Sequence, residues 1–311
     1  MLGDLQKPEL AQGLFSKPAK YPAAMRHSTE TIAMIDDTIR QPRGMAFKVF
    51  NVEGPKLRPD GKDPRTQDFE FNSASTIELA NAKICRDIMA MRLKLGSCPA
   101  DLDAELKKRD DYDVQDARNH IPTISLLAQR QYSQSAFRYG DYVAKFALVP
   151  TPGTSQLKGA NTELSSKDGP HAYKDMLRKH YAENDDTSWD FQVQLLDRQW
   201  FEKNPEAIED GRIDWPQDLM PFVTVAKLRC PRQDSMLPAR RVFWEDRIRV
   251  DPWHGLVVHR PLGSINRVRK GVYKMSSAHR RRLNATQEVT IESIDQIPDG
   301  VTSDDEKLRA P

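Results

Sequence analysis

The sequence predicts an α+β fold: an antiparallel β-barrel interrupted by one helical insertion and followed by C-terminal helices. Three observations predict it. Short segments rich in β-formers recur between turn signals in the first 72 residues. An apolar stripe at three- and four-residue spacing then replaces them. Strand patterning returns from Tyr142 and gives way to helical character after Ser264. Many short strands with helices set apart from them suit a barrel carrying helices on its outside.

Taken in order, Lys7–Pro22 is polar and punctuated by proline, and reads as loop with one short helical turn. Ala24–Ser28, Gly44–Val52 and Thr66–Asn72 read as strands, separated by turn signals such as Gln41-Pro42-Arg43-Gly44 and Arg58-Pro59-Asp60-Gly61. In Glu78–Leu95, residues Leu79, Ala82, Ile84, Ile88, Met91 and Leu95 make one apolar face of an amphipathic helix ended by Gly96. Asp101–Arg118 reads as a second, more solvated helix, and together these fill a helical insertion over about residues 77–118. Tyr142–Val149 reads as a strand. Trp189, Phe191, Val193 and Leu195 alternate with Asp190, Gln192 and Gln194, the pattern of a half-buried strand. Phe222–Leu228 and Val242–Val250 are expected as further strands, and 264–283 as a helix. Residues 1–284 would form the barrel domain, and 285–311 a polar, acidic, loosely attached tail.

Composition narrows the function classes. Lys plus Arg number 47 against 45 Asp plus Glu, so no charge excess argues for nucleic-acid binding, and the basic cluster Arg280-Arg281-Arg282 lacks interleaved aromatics. No apolar run is long enough to span a bilayer. Three scattered cysteines, Cys85, Cys98 and Cys230, offer neither a disulfide framework nor a zinc motif, and are expected as buried thiols. The first residues lack a basic stretch leading into an apolar one, so the expected location is cytoplasmic.

One stretch points to chemistry. On a helix, Arg269 and Tyr273 lie one turn apart on the same side, and a guanidinium beside a phenol favours the phenolate, the form that ligates ferric iron. Arg280 lies two turns beyond Tyr273, placed to meet a carboxylate. Taken alone, the same residues also describe a basic surface helix.

Ordered blocks of sequence shift that balance. They are Gly13-Leu14-Phe15 with Tyr21-Pro22 and Arg26-His27-Ser28-Thr29, then Arg43-Gly44-Met45-Ala46-Phe47-Lys48, then Thr66-Gln67-Asp68-Phe69 with Asn72. Tyr132-Ser133-Gln134 with Arg138-Tyr139-Gly140 follows, then Pro252-Trp253-His254-Gly255-Leu256 with His259-Arg260-Pro261-Leu262-Gly263, and last the Arg269/Tyr273 helix. In these blocks, over about residues 10–285, the chain resembles the haem catalase family, in its short single-barrel branch. The resemblance implies haem b as cofactor, with Tyr273 as the iron ligand and Arg269 as its hydrogen-bonding partner. It implies that Arg26 and Arg280 hold the haem propionates and that Asn72 positions peroxide.

Two departures alter the expected reaction. The family's distal histidine lies on a first barrel strand upstream of Gly-Leu-Phe, and only Met1–Gln12 precede Gly13 here. That strand is expected to be missing, and Met1–Leu5 reads like the interior of such a segment. Where the family has a proline and an aromatic residue after the asparagine, this chain has Ser73-Ala74-Ser75-Thr76, which implies a roomier, wetter distal side. The resemblance therefore implies a haem-dependent oxidoreductase using a peroxide or hydroperoxide on a small organic molecule, in a setting such as secondary metabolism. Hydrogen peroxide disproportionation and a haem-free binding or structural role are the alternatives. A missing strand also leaves two open edges, to be covered by a loop or by another chain such as a second copy in a homo-oligomer.

Overall fold

The computed structural model describes residues 7–30, 35–58, 65–156 and 163–298. Its centre is one curled antiparallel sheet. The strands are β1 (Ala23–Thr29), β2 (Arg43–Phe50), β3 (Thr66–Asn72), β4 (Gln131–Tyr132), β5 (Phe137–Tyr139), β6 (Tyr142–Pro150), β7 (Thr187–Leu195) and β8 (Phe222–Cys230). They pair in the order β1-β2-β3-β4-β6-β7-β8, with β5 folded onto β6. Among the described residues β1 and β8 each have one strand partner, so the sheet is a half-barrel with an open seam between its end strands.

Alternation within each strand sets which face is which. Met45, Phe47 and Val49 of β2, Phe69 and Phe71 of β3, and Trp189, Phe191 and Val193 of β7 are buried in one apolar cluster inside the curl. Phe191 packs edge-on against Phe69 at 5.0 Å between ring centroids. Each such side chain contributes about 1.5–3 kcal/mol on full burial. The intervening residues Asp68, Glu70 and Asn72 of β3 consequently face outwards, in one row.

The N-terminal loop closes one end of the curl. Phe15 enters the interior at 5.0 Å from Phe191, and the backbone N–H of Leu14 donates to His259 Nε2 at 3.0 Å. Gly13 makes the approach possible: it sits at φ +52°, and a Cβ there would lie 2.4 Å from His259 Nε2. Gly13→Ala is expected to cost about 2 kcal/mol through strain and overpacking, read as a lower midpoint in urea unfolding with an unchanged slope.

The helices are α1 (Ala82–Leu95), α2 (Pro99–Leu106), α3 (Tyr112–Asp116), α4 (Pro152–Ser155), α5 (Ala172–Glu183), α6 (Arg198–Lys203), α7 (Pro238–Asp246) and α8 (Gly263–Leu283). Asn81 caps α1 by accepting from the N–H groups of Lys83 and Ile84, which starts the helix three residues later than its apolar stripe suggested. Asp101–Arg118, expected as one helix, is broken into α2, α3 and a short 3-10 turn. The break falls in the charged run 107–111, where Arg109 turns back onto Asp111 at 2.7 Å.

Val242–Val250, expected as a strand, is instead α7 followed by loop. Pro238 opens this helix, and the β-formers Val242, Phe243 and Trp244 are a short run inside an otherwise charged helix. Residues 285–298, expected in a loosely attached tail, bury Ile291 against Ala24, Phe50 and Ile248 on the outside of the sheet. The remainder of that tail lies outside the described residues. Of the cysteines expected to be buried, Cys98 is exposed, and Cys85 and Cys230 are half-buried. No helix among the described residues is long and apolar enough to cross a membrane.

Candidate functional site

Helix α8 lies across the outer face of β3, and this contact holds most of the residues expected to act. Tyr273 points at the sheet. Its hydroxyl donates to Glu70 Oε2 at 2.5 Å. Burial pushes the Glu70 carboxyl up to about 7, against the opposing influence of Arg269 and of the Tyr273 hydrogen bond. Burial, reinforced by the Glu70 charge, pushes the Tyr273 phenol far above its ordinary range. Arg269 is close enough to act on both groups, while its Nη1 donates to Asn266 Oδ1 at 3.2 Å.

The one-turn spacing of Arg269 and Tyr273 holds. With no iron present, desolvation and the facing carboxylate outweigh one guanidinium, and the Tyr273 phenol keeps its proton.

The other expected residues lie along the same face without meeting at one point. Asn72, two residues beyond Glu70, extends its Nδ2 towards Glu30 Oε2 at 3.5 Å, and its Oδ1 is buried without a partner. The space beside it is filled by charges from the helical insertion: Arg92 and Arg118 lie 3.2 and 3.5 Å from Glu78, and Arg118 lies 3.7 Å from Glu30. Ser73 does not open a wet distal pocket either, since its hydroxyl donates to the Arg43 carbonyl at 2.9 Å.

At the opposite end, exposed Arg26 and half-buried Arg280 share the lining of a cavity of about 650 Å³. Arg280 donates through Nη2 to the Ile248 carbonyl at 3.0 Å, while its Nε is buried without a partner. Burial, then the neighbouring Arg26 and Arg281, lower the Arg280 pKa.

Next to Glu70 in the row, Asp68 is fully buried and accepts from Lys48 Nζ at 2.6 and 2.8 Å and from the Asp251 N–H at 2.9 Å. Burial alone would raise its pKa, but Lys48 and His254 hold it below the ordinary carboxylate range.

The histidines are committed elsewhere or exposed. His27 faces the interior and bonds Tyr181 Oη at 2.7 Å, with burial, aided by His180, pushing its pKa down to about 4. His254 lies 2.6 Å from Arg249, His259 accepts from Leu14, and His180 bonds Thr187 at 2.6 Å. His120, His171 and His279 are exposed.

A porphyrin ligated by Tyr273 would need its iron on the phenolate oxygen and its plane between that oxygen and the sheet. The Glu70 carboxylate occupies this position, in direct contact with a protonated hydroxyl. The residues present therefore do not fit the group in this arrangement. Among the described residues there is also no cluster of three or more histidine, cysteine, aspartate or glutamate side chains able to hold a metal ion.

Glu70 is the candidate site residue that the sequence reading missed. Its signal was available: in Asp68-Phe69-Glu70-Phe71-Asn72 strand alternation puts Glu70 on the same face as Asn72.

No protein-family model matches the chain, and no curated protein does. Solved structures do. A fungal catalase matches with a TM-score of 0.63 at 14% identity, over 97% of this chain and 62% of that one. Catalase A from Saccharomyces cerevisiae matches with a TM-score of 0.62 at 14% identity, over 95% and 62%. A bacterial catalase matches with a TM-score of 0.56 at 15% identity, over 93% and 57%. The chain thus spans about three-fifths of the length of these catalases. Curled antiparallel sheet, helical insertion and C-terminal helices together make this chain a partial catalase-like fold.

Proposed function

We propose that the chain is a haem-free binding module built on a catalase-like half-barrel. The observation that carries this reading is the hydrogen bond from Tyr273 to Glu70, which puts a carboxylate where an iron porphyrin would have to sit. The commitment of His27, His254 and His259 to other partners supports it, because peroxide cleavage needs a general acid–base group poised over the reacting oxygen atoms. The retained binding feature is the cavity shared by Arg26 and Arg280 at the open seam.

A haem-dependent oxidoreductase acting with a peroxide on a small molecule is the second reading. One observation favours it: two guanidinium groups, one with an unpartnered buried Nε, suit the carboxylates of a large anionic cofactor. It requires the Glu70–Tyr273 contact to open.

Titrating purified protein with haemin and recording its absorption separates the two. The binding-module reading predicts no Soret band of ligated haem beyond that of free haemin, and no oxygen release from hydrogen peroxide. A stoichiometric Soret band that disappears in Tyr273→Phe would establish the second reading in its place.

A further inference from the structure

We propose that the open seam between β1 and β8 binds one extended polypeptide strand from a partner, running antiparallel to both edges and alternating apolar with acidic side chains. The inference deepens the binding-module reading and rests on it.

Direction gives the first argument. Every neighbour in the sheet order is antiparallel and the number of strands in that order is odd, so β1 and β8 point the same way. Pairing them directly would make a parallel join. A single strand inserted between them would be antiparallel to both and would close the barrel, leaving no edge.

Backbone register gives the second. The N–H of Phe50 donates to the Pro22 carbonyl, and the N–H of Glu30 to the Pro42 carbonyl. Both bonds lie in register with the β1–β2 pairs Ala24↔Lys48, Arg26↔Ala46 and Ser28↔Gly44. Even-numbered residues of β1 therefore bond to β2, and the backbone groups of Ala23, Met25, His27 and Thr29 are directed to the seam. That is a template for strand addition.

The cavity between the edges gives the third. It holds about 650 Å³ and is lined by consecutive residues 23–27 of β1, by Leu228, Arg229 and Cys230 of β8, and by one face of α5. Its two sides differ. Met25, Leu177, Tyr181 and Leu228 belong to the interior cluster or pack on it, so inward side chains of an added strand would meet an apolar floor. Towards the outside stand Arg26, Arg229, Arg241 and Arg280, with Glu245 as the facing carboxylate. Arg229 is paired with Asp186 at 3.1 Å and Arg241 lies 3.8 Å from Glu245, which still leaves a clear cationic excess. Acidic side chains on the outward positions of the added strand match it, and lysines would be repelled.

The test is hydrogen exchange on the full chain with two synthetic peptides of about eight residues, enough to span either edge. One alternates valine and glutamate, the other valine and lysine. The expected result is at least about tenfold slower exchange at the amides of Met25, His27 and Thr29 and along β8, with the glutamate peptide only. The charge reversal Arg26→Glu, at an exposed position, should abolish that protection while leaving the rest of the sheet protected as before. No protection at β1, equal protection by both peptides, or protection by decanoate but by neither peptide would each overturn the proposal; the last would make the seam a site for small fatty acids. Haemin binding in the absorption titration would instead refute the binding-module reading, whichever peptide result is found.

Discussion

Asp68→Ala is expected to destabilise the protein by about 3–5 kcal/mol, the largest effect of any single substitution considered. Lys48 and Asp68 form a salt bridge at 2.6 Å, with side chains 4% and 0% exposed on the outer face of β2 and β3. Removing the carboxylate leaves a buried ammonium without its counter-charge and strips the Asp251 N–H of its acceptor. The measurement is urea unfolding followed by circular dichroism, with an unchanged slope showing that the midpoint shift is a change in stability.

Two further variants apportion the loss. Asp68→Asn keeps an acceptor for the Asp251 N–H and removes only the charge. Lys48→Met combined with Asp68→Leu removes both charges, and should regain most of the loss apart from about 1–3 kcal/mol for the unsatisfied N–H. If Asp68→Ala unfolds no more easily than the native chain, the pair is not buried as described.

The second large effect is a dependence of stability on pH set by Glu70. A carboxyl whose pKa rises from 4.5 unfolded to about 7 folded retains a proton that the unfolded chain has already released. Folding is then favoured at low pH: the contribution is complete below about 4.5 and is lost as pH rises through about 7. The shift amounts to at most about 3 kcal/mol, less whatever solvent reaches the half-buried side chain. Glu70→Gln keeps an acceptor for the Tyr273 hydroxyl and removes the titration. The variant should gain stability at about pH 8, match the native protein at about pH 4.5, and show a flatter profile between them. Native and Glu70→Gln profiles that run parallel across that range would mean that Glu70 titrates as an exposed carboxylate.

The sheet was legible because its signal is local. β2 and β3 showed as runs of β-forming residues between turn signals, and in β7 the alternation of Trp189, Phe191 and Val193 with polar residues also marked the inward face. Thr66–Asn72 came out with the bounds observed. Val242–Val250 misled because a short β-forming run cannot be told from a helix segment by composition, and the deciding feature, Pro238 at the start of α7, lies outside the run.

The site was only half legible, for a related reason. The Arg269 and Tyr273 spacing is a property of one helix and held. The protonation state of Tyr273 depends on Glu70, which is 203 residues away along the chain, and on the depth at which α8 buries both. A guanidinium one turn away argues for a phenolate only until desolvation is counted. The pairing of Lys48 with Asp68 was similarly invisible, since neither residue announces in sequence that the outer face of the sheet is covered.

A crystal structure of protein produced in cells supplied with iron and a haem precursor would test the central claim most directly. The account predicts no porphyrin between β3 and α8, with the Tyr273 hydroxyl hydrogen-bonded to Glu70 and the seam beside Arg26 open. A macrocycle in that space with its iron on Tyr273, and Glu70 turned aside, would contradict it.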